Sequence, residues 1–200
     1  MLIVFEGLDQ SGKETQAKAL RARIERDGRR VQYLSFPEYD TPIGREIRQA
    51  LDGAREFTPD VMQLLYVANR LEFKPQLDAW LQSGDVVICD RYCASSVAYG
   101  EAQGLDAAWL SDIQRSLPKP AVTVLLDIAP DTAARRKAVG RDRYERDLDL
   151  LARVRRSYRR QATAGGWPVI DAEASKEAVT QAVADAVLPR LAPPSARAPR

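Results

Sequence analysis

The sequence predicts an α/β fold of three layers, α/β/α, around a five-stranded parallel sheet. Three observations predict it. In the first 35 residues an apolar run, a glycine turn, an amphipathic stretch and a second apolar run follow one another, a βαβ unit whose crossover helix makes its two strands parallel. Further apolar runs at 86–89, 122–126 and 169–170 each stand beside a helical pattern. Val179, Val183, Val187 and Leu191 recur every four residues and give the last helix one sheet-facing stripe.

Taken in order, residues 2–6 form the first strand and meet a glycine turn at Gly7. Ala17, Leu20 and Ile24 follow at helical spacing until Gly28 stops the helix, and Val31 to Ser35 form the second strand. With 200 residues, 45% hydrophobic and 29% charged, the chain has the composition of one compact domain over 1–191. The last nine residues, APPSARAPR, lack apolar periodicity and read as a disordered tail, 192–200. A net charge of +2 is too small for a dedicated nucleic-acid binder. Two cysteines exclude a disulfide framework or a four-cysteine zinc site and suit a reducing compartment. The absence of histidine excludes every mechanism that needs imidazole. The apolar opening LIVF is too short for a signal peptide and no run reaches the length of a membrane span, so a soluble, cytoplasmic protein without membrane contact is expected.

Residues 7–13, GLDQSGK, have the spacing G-x-x-x-x-G-K directly after a strand and at the start of a helix. Gly7 and Gly12 allow the backbone to turn its amides inward, Lys13 adds a point charge and the helix N-terminus adds its dipole. This is a polyphosphate cradle, and the fold is P-loop NTP hydrolase-like. Gln10 and Ser11 between the glycines, with Glu14 and Thr15 beyond Lys13, complete the candidate ATP site. Glu14 stands where the motif usually has the Ser or Thr that binds Mg²⁺; it either reaches the metal or turns outward along the first helical turn. A regulatory GTPase is excluded, because the single asparagine, Asn69, is followed by Arg70 and Leu71 rather than completing a guanine-selecting motif.

Other residues suggest chemistry by position. Asp9 places a carboxylate inside a phosphate loop and therefore calls for a cationic or hydroxyl partner. Asp90 and Arg91 end the third strand at the carboxyl edge of the sheet, where a ligand crevice opens. Tyr66 and Arg70, four apart, share a helix face that can hold one flat base, although Tyr66 alone reads equally well as core. Residues 135–146, RRKAVGRDRYER, form a cationic stretch between two helical patterns.

Six segments in order, FEGLDQSGK at 5–13, SFPEYDTPIG at 35–44, LLYVANR at 64–70, DRYCASSVAY at 90–99, GRDRYE at 140–145 and VIDAEAS at 169–175, resemble thymidylate kinase. The resemblance implies phosphorylation of dTMP by ATP to dTDP with Mg²⁺, and a homodimer. It implies that Asp9 contacts the sugar 3′-hydroxyl or the metal shell, that Arg91 binds the dTMP phosphate, and that Tyr66 stacks on thymine while Arg70 donates to O4. Ser95 and Ser96 would lie near the base edge, Tyr99 against the sugar, and Phe36 and Pro37 along the pocket wall. Tyr39 stands where some members carry an arginine for the acceptor phosphate. The basic stretch, about 135–147, becomes a lid containing Arg143, Tyr144 and Glu145, with Tyr144 on the dTMP side. Asp171 and Ala172 open the adenine loop. Asp90 and Glu14 are the candidate metal ligands. Gln10 occupies the place of a P-loop arginine, which leaves Arg141, then Arg136 and Lys137, to stabilise the transition state. The alternatives are another nucleoside-monophosphate kinase (for AMP, UMP or CMP) and a nucleotide-binding module without transfer activity.

Overall fold

The computed structural model describes residues 1–136 and 147–191. Most of the expected lid, with Lys137, Arg141, Arg143, Tyr144 and Glu145, and the expected tail at 192–200 lie outside the described residues. The five apolar runs are five strands: β1 (Leu2–Glu6), β2 (Val31–Ser35), β3 (Val86–Asp90), β4 (Val122–Asp127) and β5 (Val169–Asp171). All pair in parallel in the order β2-β3-β1-β4-β5. Every residue of β1 and β3 is buried, as expected of strands covered by helices on both faces. The chain leaves β1 for one side of the sheet and later crosses to the other, so the topological switch point, where ligands bind in open α/β sheets, lies at the carboxyl end of β1.

The helices are α1 (Lys13–Arg26), α2 (Pro42–Leu51), α3 (Pro59–Glu72), α4 (Lys74–Gln82), α5 (Cys93–Ala102), α6 (Ala107–Asp112), α7 (Pro130–Arg136), α8 (Leu148–Gly165) and α9 (Lys176–Val187). Helix α1 buries Ala17, Leu20 and Ile24, the three positions that its spacing singled out. The stripe of α9 is also buried at Val179, Val183 and Val187, but the α-helix stops before Leu191. Pro189 has no N–H to continue the ladder, and Leu188–Arg190 tighten into a 3₁₀ turn. Leu191 still packs against the core from beyond that turn.

The loop between β2 and α2 is held from two sides. Asn69 on α3, fully buried, accepts from the Glu38 amide at 2.8 Å and donates to the Glu38 carbonyl at 3.0 Å and to the Thr41 hydroxyl at 3.0 Å. Thr41 caps α2 by accepting from the Gly44 amide at 2.9 Å. Gly44 allows the loop to lie on the helix, since a Cβ there would stand 1.9 Å from the Glu38 carbonyl oxygen. Gly44→Ala is therefore expected to destabilise the protein by about 1–3 kcal/mol, the usual cost of overpacking against backbone. A urea melt checks this: a lowered midpoint with unchanged slope is expected, and an unchanged midpoint contradicts it.

Candidate active site

Between β1 and α1 the phosphate loop turns through residues that the motif selected. Gly7 has φ 141°, and a Cβ there would meet the Leu126 carbonyl oxygen at 2.4 Å, so both its conformation and its space require glycine. The Ser11 amide donates to the Leu8 carbonyl at 3.3 Å and the Lys13 ammonium donates to the same oxygen at 2.8 Å. Lys13 is buried, and burial together with the nearby Arg91 charge lowers its pKa, against the opposing pull of Asp90, Asp9 and Glu6. Ser11 is buried and its hydroxyl has no partner among the described residues.

Asp9 has the partners that its position demanded. Arg91 Nη2 donates to it at 2.7 Å and the Tyr99 hydroxyl at 3.3 Å. Withdrawal from water would raise the Asp9 pKa, but the charges of Arg91 and Lys13 and these two hydrogen bonds outweigh it and hold the carboxyl well below the usual carboxylate range. Arg91 itself adopts φ 66°, a left-handed backbone rare outside glycine, at the end of β3. Its Nη1 also donates to Ser95 Oγ at 3.3 Å and Tyr158 Oη at 3.2 Å. Both hydroxyls in turn reach Glu6: Ser95 donates to Oε2 at 2.6 Å and Tyr158 at 3.1 Å. Beside them Asp90 is buried with Oδ1 unpartnered among the described residues, and burial raises its pKa despite Lys13 and Arg91.

A cavity opens next to Asp9 and Arg91. Phe36, Pro37, Tyr39, Leu51, Gln63, Tyr66, Arg70, Tyr92, Ser95, Ser96 and Tyr99 line it. Tyr66 and Arg70 share the face that their spacing implied, and Arg70, 3% exposed, donates from Nη2 to Ser96 Oγ. Ser96 thus faces Arg70, whereas the Ser95 hydroxyl belongs to the Glu6 and Arg91 network and is not free at a base edge. Arg48 stacks on the Tyr39 ring with its guanidinium carbon 3.8 Å from the centroid. Glu6, Gln63 and Tyr158 were not singled out from the sequence, and Asn69 served there only to exclude a guanine-selecting motif. Only Gln63 left a signal there, a polar side chain on the face that carries Tyr66 and Arg70.

The opposite side of the phosphate loop is tied to the β5–α9 loop. Arg136 donates to the Gln10 carbonyl at 3.1 Å and to the Ala172 carbonyl at 2.8 Å, so its guanidinium bridges two backbone segments. Ala172 is buried, and the exposed Asp171 accepts from the Glu173 amide at 2.9 Å. Glu14 turns outward, about two-thirds exposed, and pairs with Lys18 at 2.5 Å; Thr15 is exposed too. Among the described residues no three acidic, histidine or cysteine side chains cluster as a metal cage.

The thymidylate kinase family model matches residues 5–183. A thymidylate kinase of Danio rerio is 34% identical over 186 residues, 92% of this chain and 88% of its own length. One of Dictyostelium discoideum is 31% identical over 92% of this chain and 82% of its own, and a probable thymidylate kinase of Pyrobaculum aerophilum 35% identical over 92% and 95%. Among solved structures, thymidylate kinase from Candida albicans superposes with a TM-score of 0.80 at 28% identity, covering 94% of this chain and 91% of that one.

The Asp9 shift sets a pH dependence. A carboxyl held low when folded contributes stability that is complete above its unfolded pKa, near 4, and is lost as pH falls through its folded value. Asp9→Asn should therefore be less stable than the wild type at pH 7 by about 1–2 kcal/mol, given its partial exposure, with the gap narrowing below pH 4. Urea melts from pH 3 to pH 7 check it, and a gap that widens on acidification contradicts it.

Proposed function

The chain belongs to the thymidylate kinase family, and from that premise we propose how its residues transfer a phosphoryl group from ATP to dTMP. It is a phosphotransferase whose reaction is ATP + dTMP → ADP + dTDP. The observation that supports these residue roles best is the shared Asp9–Arg91 pair, which joins the phosphate loop to a cavity lined by Tyr66 and Arg70. In this reading the loop amides of Gly7 to Lys13 hold the donor phosphates and Arg91 binds the 5′-phosphate of dTMP. Tyr66 stacks on the base and Arg70 donates to O4. Phe36, Pro37 and Ser96 enclose the base, Ser95 steadies Arg91, and Asp9 and Tyr99 face the sugar. The attacking phosphate oxygen is already ionised near neutral pH, so no general base is needed and the lack of histidine is no obstacle. Catalysis consists of alignment and charge stabilisation by Lys13, Arg91 and the lid arginines.

Mg²⁺ fits the donor set at the carboxyl edge of the sheet, where Asp90 keeps a buried oxygen without a partner among the described residues. A hard cation held by one carboxylate, waters and phosphates is the ordinary Mg²⁺ arrangement, and it supplies neutralisation of the donor's phosphate charge. Glu14, paired with Lys18, stands in the outward placement, so Asp90 is the ligand of choice. Since Arg136 already bridges the Gln10 and Ala172 carbonyls, Arg141 remains the first candidate for the transition state and Arg136 a tether of the ATP site together with Asp171 and Ala172. Tyr144 belongs to the same lid reading. The kinase domain spans 1–191. Val61, Leu64 and Leu71 are exposed on α3, and this apolar stripe supports a homodimer. No described helix is long and apolar enough to cross a membrane. The proposed setting is the cytoplasm, without nucleic-acid or membrane partners.

A coupled ADP-release assay with dTMP, dUMP, AMP, UMP and CMP tests the reading. dTMP should be the preferred acceptor, and Arg70→Ala should lower kcat/KM for dTMP by about 10- to 150-fold while CMP loses less. Wild-type turnover of CMP equal to that of dTMP contradicts the assignment of the base pocket.

A further inference from the structure

Gln63 lies on α3 one turn before Tyr66 and two turns before Arg70, and it lines the same cavity. It is 1% exposed, and neither its amide nitrogen nor its amide oxygen has a hydrogen-bond partner among the described residues. Arg70 repeats the pattern at Nε, which is buried and unpartnered while Nη2 serves Ser96. Polar groups withdrawn from water without partners destabilise a fold, and leucine or methionine fills a comparable volume without that penalty. One helix face at the acceptor cavity thus carries two groups that folding alone leaves unsatisfied. Seven residues apart, Gln63 and Arg70 stand two helical turns from one another on one face, and both line the same cavity.

We infer that Gln63 is a specificity-determining residue that reads the imide edge of the acceptor base together with Arg70; the inference rests on dTMP being the acceptor. Along O4, N3–H and O2 thymine presents acceptor, donor, acceptor. Arg70 supplies donors only, while the Gln63 amide supplies one acceptor and one donor side by side. Arg70 N–H, Gln63 Oε1 and Gln63 Nε2 make the complementary donor, acceptor, donor set. Cytosine presents donor, acceptor, acceptor. Its amino group would oppose Arg70 and its N3 lone pair would oppose Oε1; turning the amide over cures the second conflict but sets Oε1 against the O2 carbonyl, and the first conflict stays. Arg70 alone reads one carbonyl; Gln63 extends the reading to the N3 proton that distinguishes an imide from a cytosine ring.

The test is Gln63→Met, assayed with dTMP and with N3-methyl-dTMP beside the wild type. The unliganded variant should be at least as stable in urea as the wild type, and its KM for ATP should stay within about threefold. KM for dTMP should rise about 10- to 100-fold with kcat changed only a few-fold, the signature of lost binding of a non-reacting part of the substrate. The losses from the substitution and from N3 methylation should not add, because both remove one contact. Unchanged KM for dTMP overturns the inference, as does a variant that is less stable and weaker for both substrates, which marks Gln63 as packing only. Failure of the functional reading itself shows separately, as a wild-type enzyme that does not turn over dTMP.

Discussion

One buried carboxylate organises the acceptor side of this protein. Glu6, fully buried at the end of β1, accepts from the Tyr92 amide at 2.9 Å, the Ser95 amide at 3.3 Å and the Ser95 and Tyr158 hydroxyls at 2.6 and 3.1 Å. A carboxylate withdrawn from water is tolerable only with such a set of donors. Two of the donors, the amides of Tyr92 just before α5 and of Ser95 in its first turn, stand at a helix start that has no side-chain cap. The central strand therefore caps a helix that follows another strand, and the helix dipole favours the charge. Tyr158 brings α8 into the same arrangement, so three elements far apart in sequence meet on one side chain.

What Glu6 fixes, Arg91 uses. The hydroxyls of Ser95 and Tyr158 are held by Glu6 on one side and accept from Arg91 on the other. Arg91 is thereby oriented before any phosphate arrives, in a backbone conformation that disfavours a side chain. Its Nη2 meets Asp9, so two opposite charges hold one another at the mouth of the phosphate loop. Positive charge set in place in advance needs no rearrangement when the transferring group develops charge, which is the main source of rate in phosphoryl transfer. Asp90 Oδ1 and the Gln63 amide, without partners among the described residues, fit the same logic in the proposed function: both are polar groups whose satisfaction would be deferred to ligands.

The sequence was most legible where chemistry and local geometry coincide. Five apolar runs became five strands because both faces of a parallel sheet are covered and periodicity gives way to continuous apolarity. Gly7 and Lys13 were readable because a phosphate cradle needs them at fixed spacing, and Tyr66 with Arg70 because four residues make one helical turn. Glu6 was not readable, since its meaning lies in Tyr158, 152 residues away, and in amides that only the tertiary fold brings near. Asn69 entered the sequence reading only as evidence against a guanine-binding motif, yet it pins the loop that carries Phe36 and Pro37. Arg136 was read as a lid cation behind Arg141 for the transition state; the carbonyls of Gln10 and Ala172 that it meets in the fold were not readable. In each case the residue type announced a hydrogen-bonding capacity and the partner was set by topology.

The central claim is that Glu6, without touching a substrate, sets Arg91, the arginine proposed to bind the acceptor phosphate. Glu6→Gln keeps the shape and two of the acceptor contacts while removing the charge that orders both hydroxyls. Measured against dTMP and ATP, this variant should lose about 10- to 100-fold in kcat/KM for dTMP while its KM for ATP stays within about threefold. Wild-type kinetics toward dTMP in a folded Glu6→Gln protein would contradict the account.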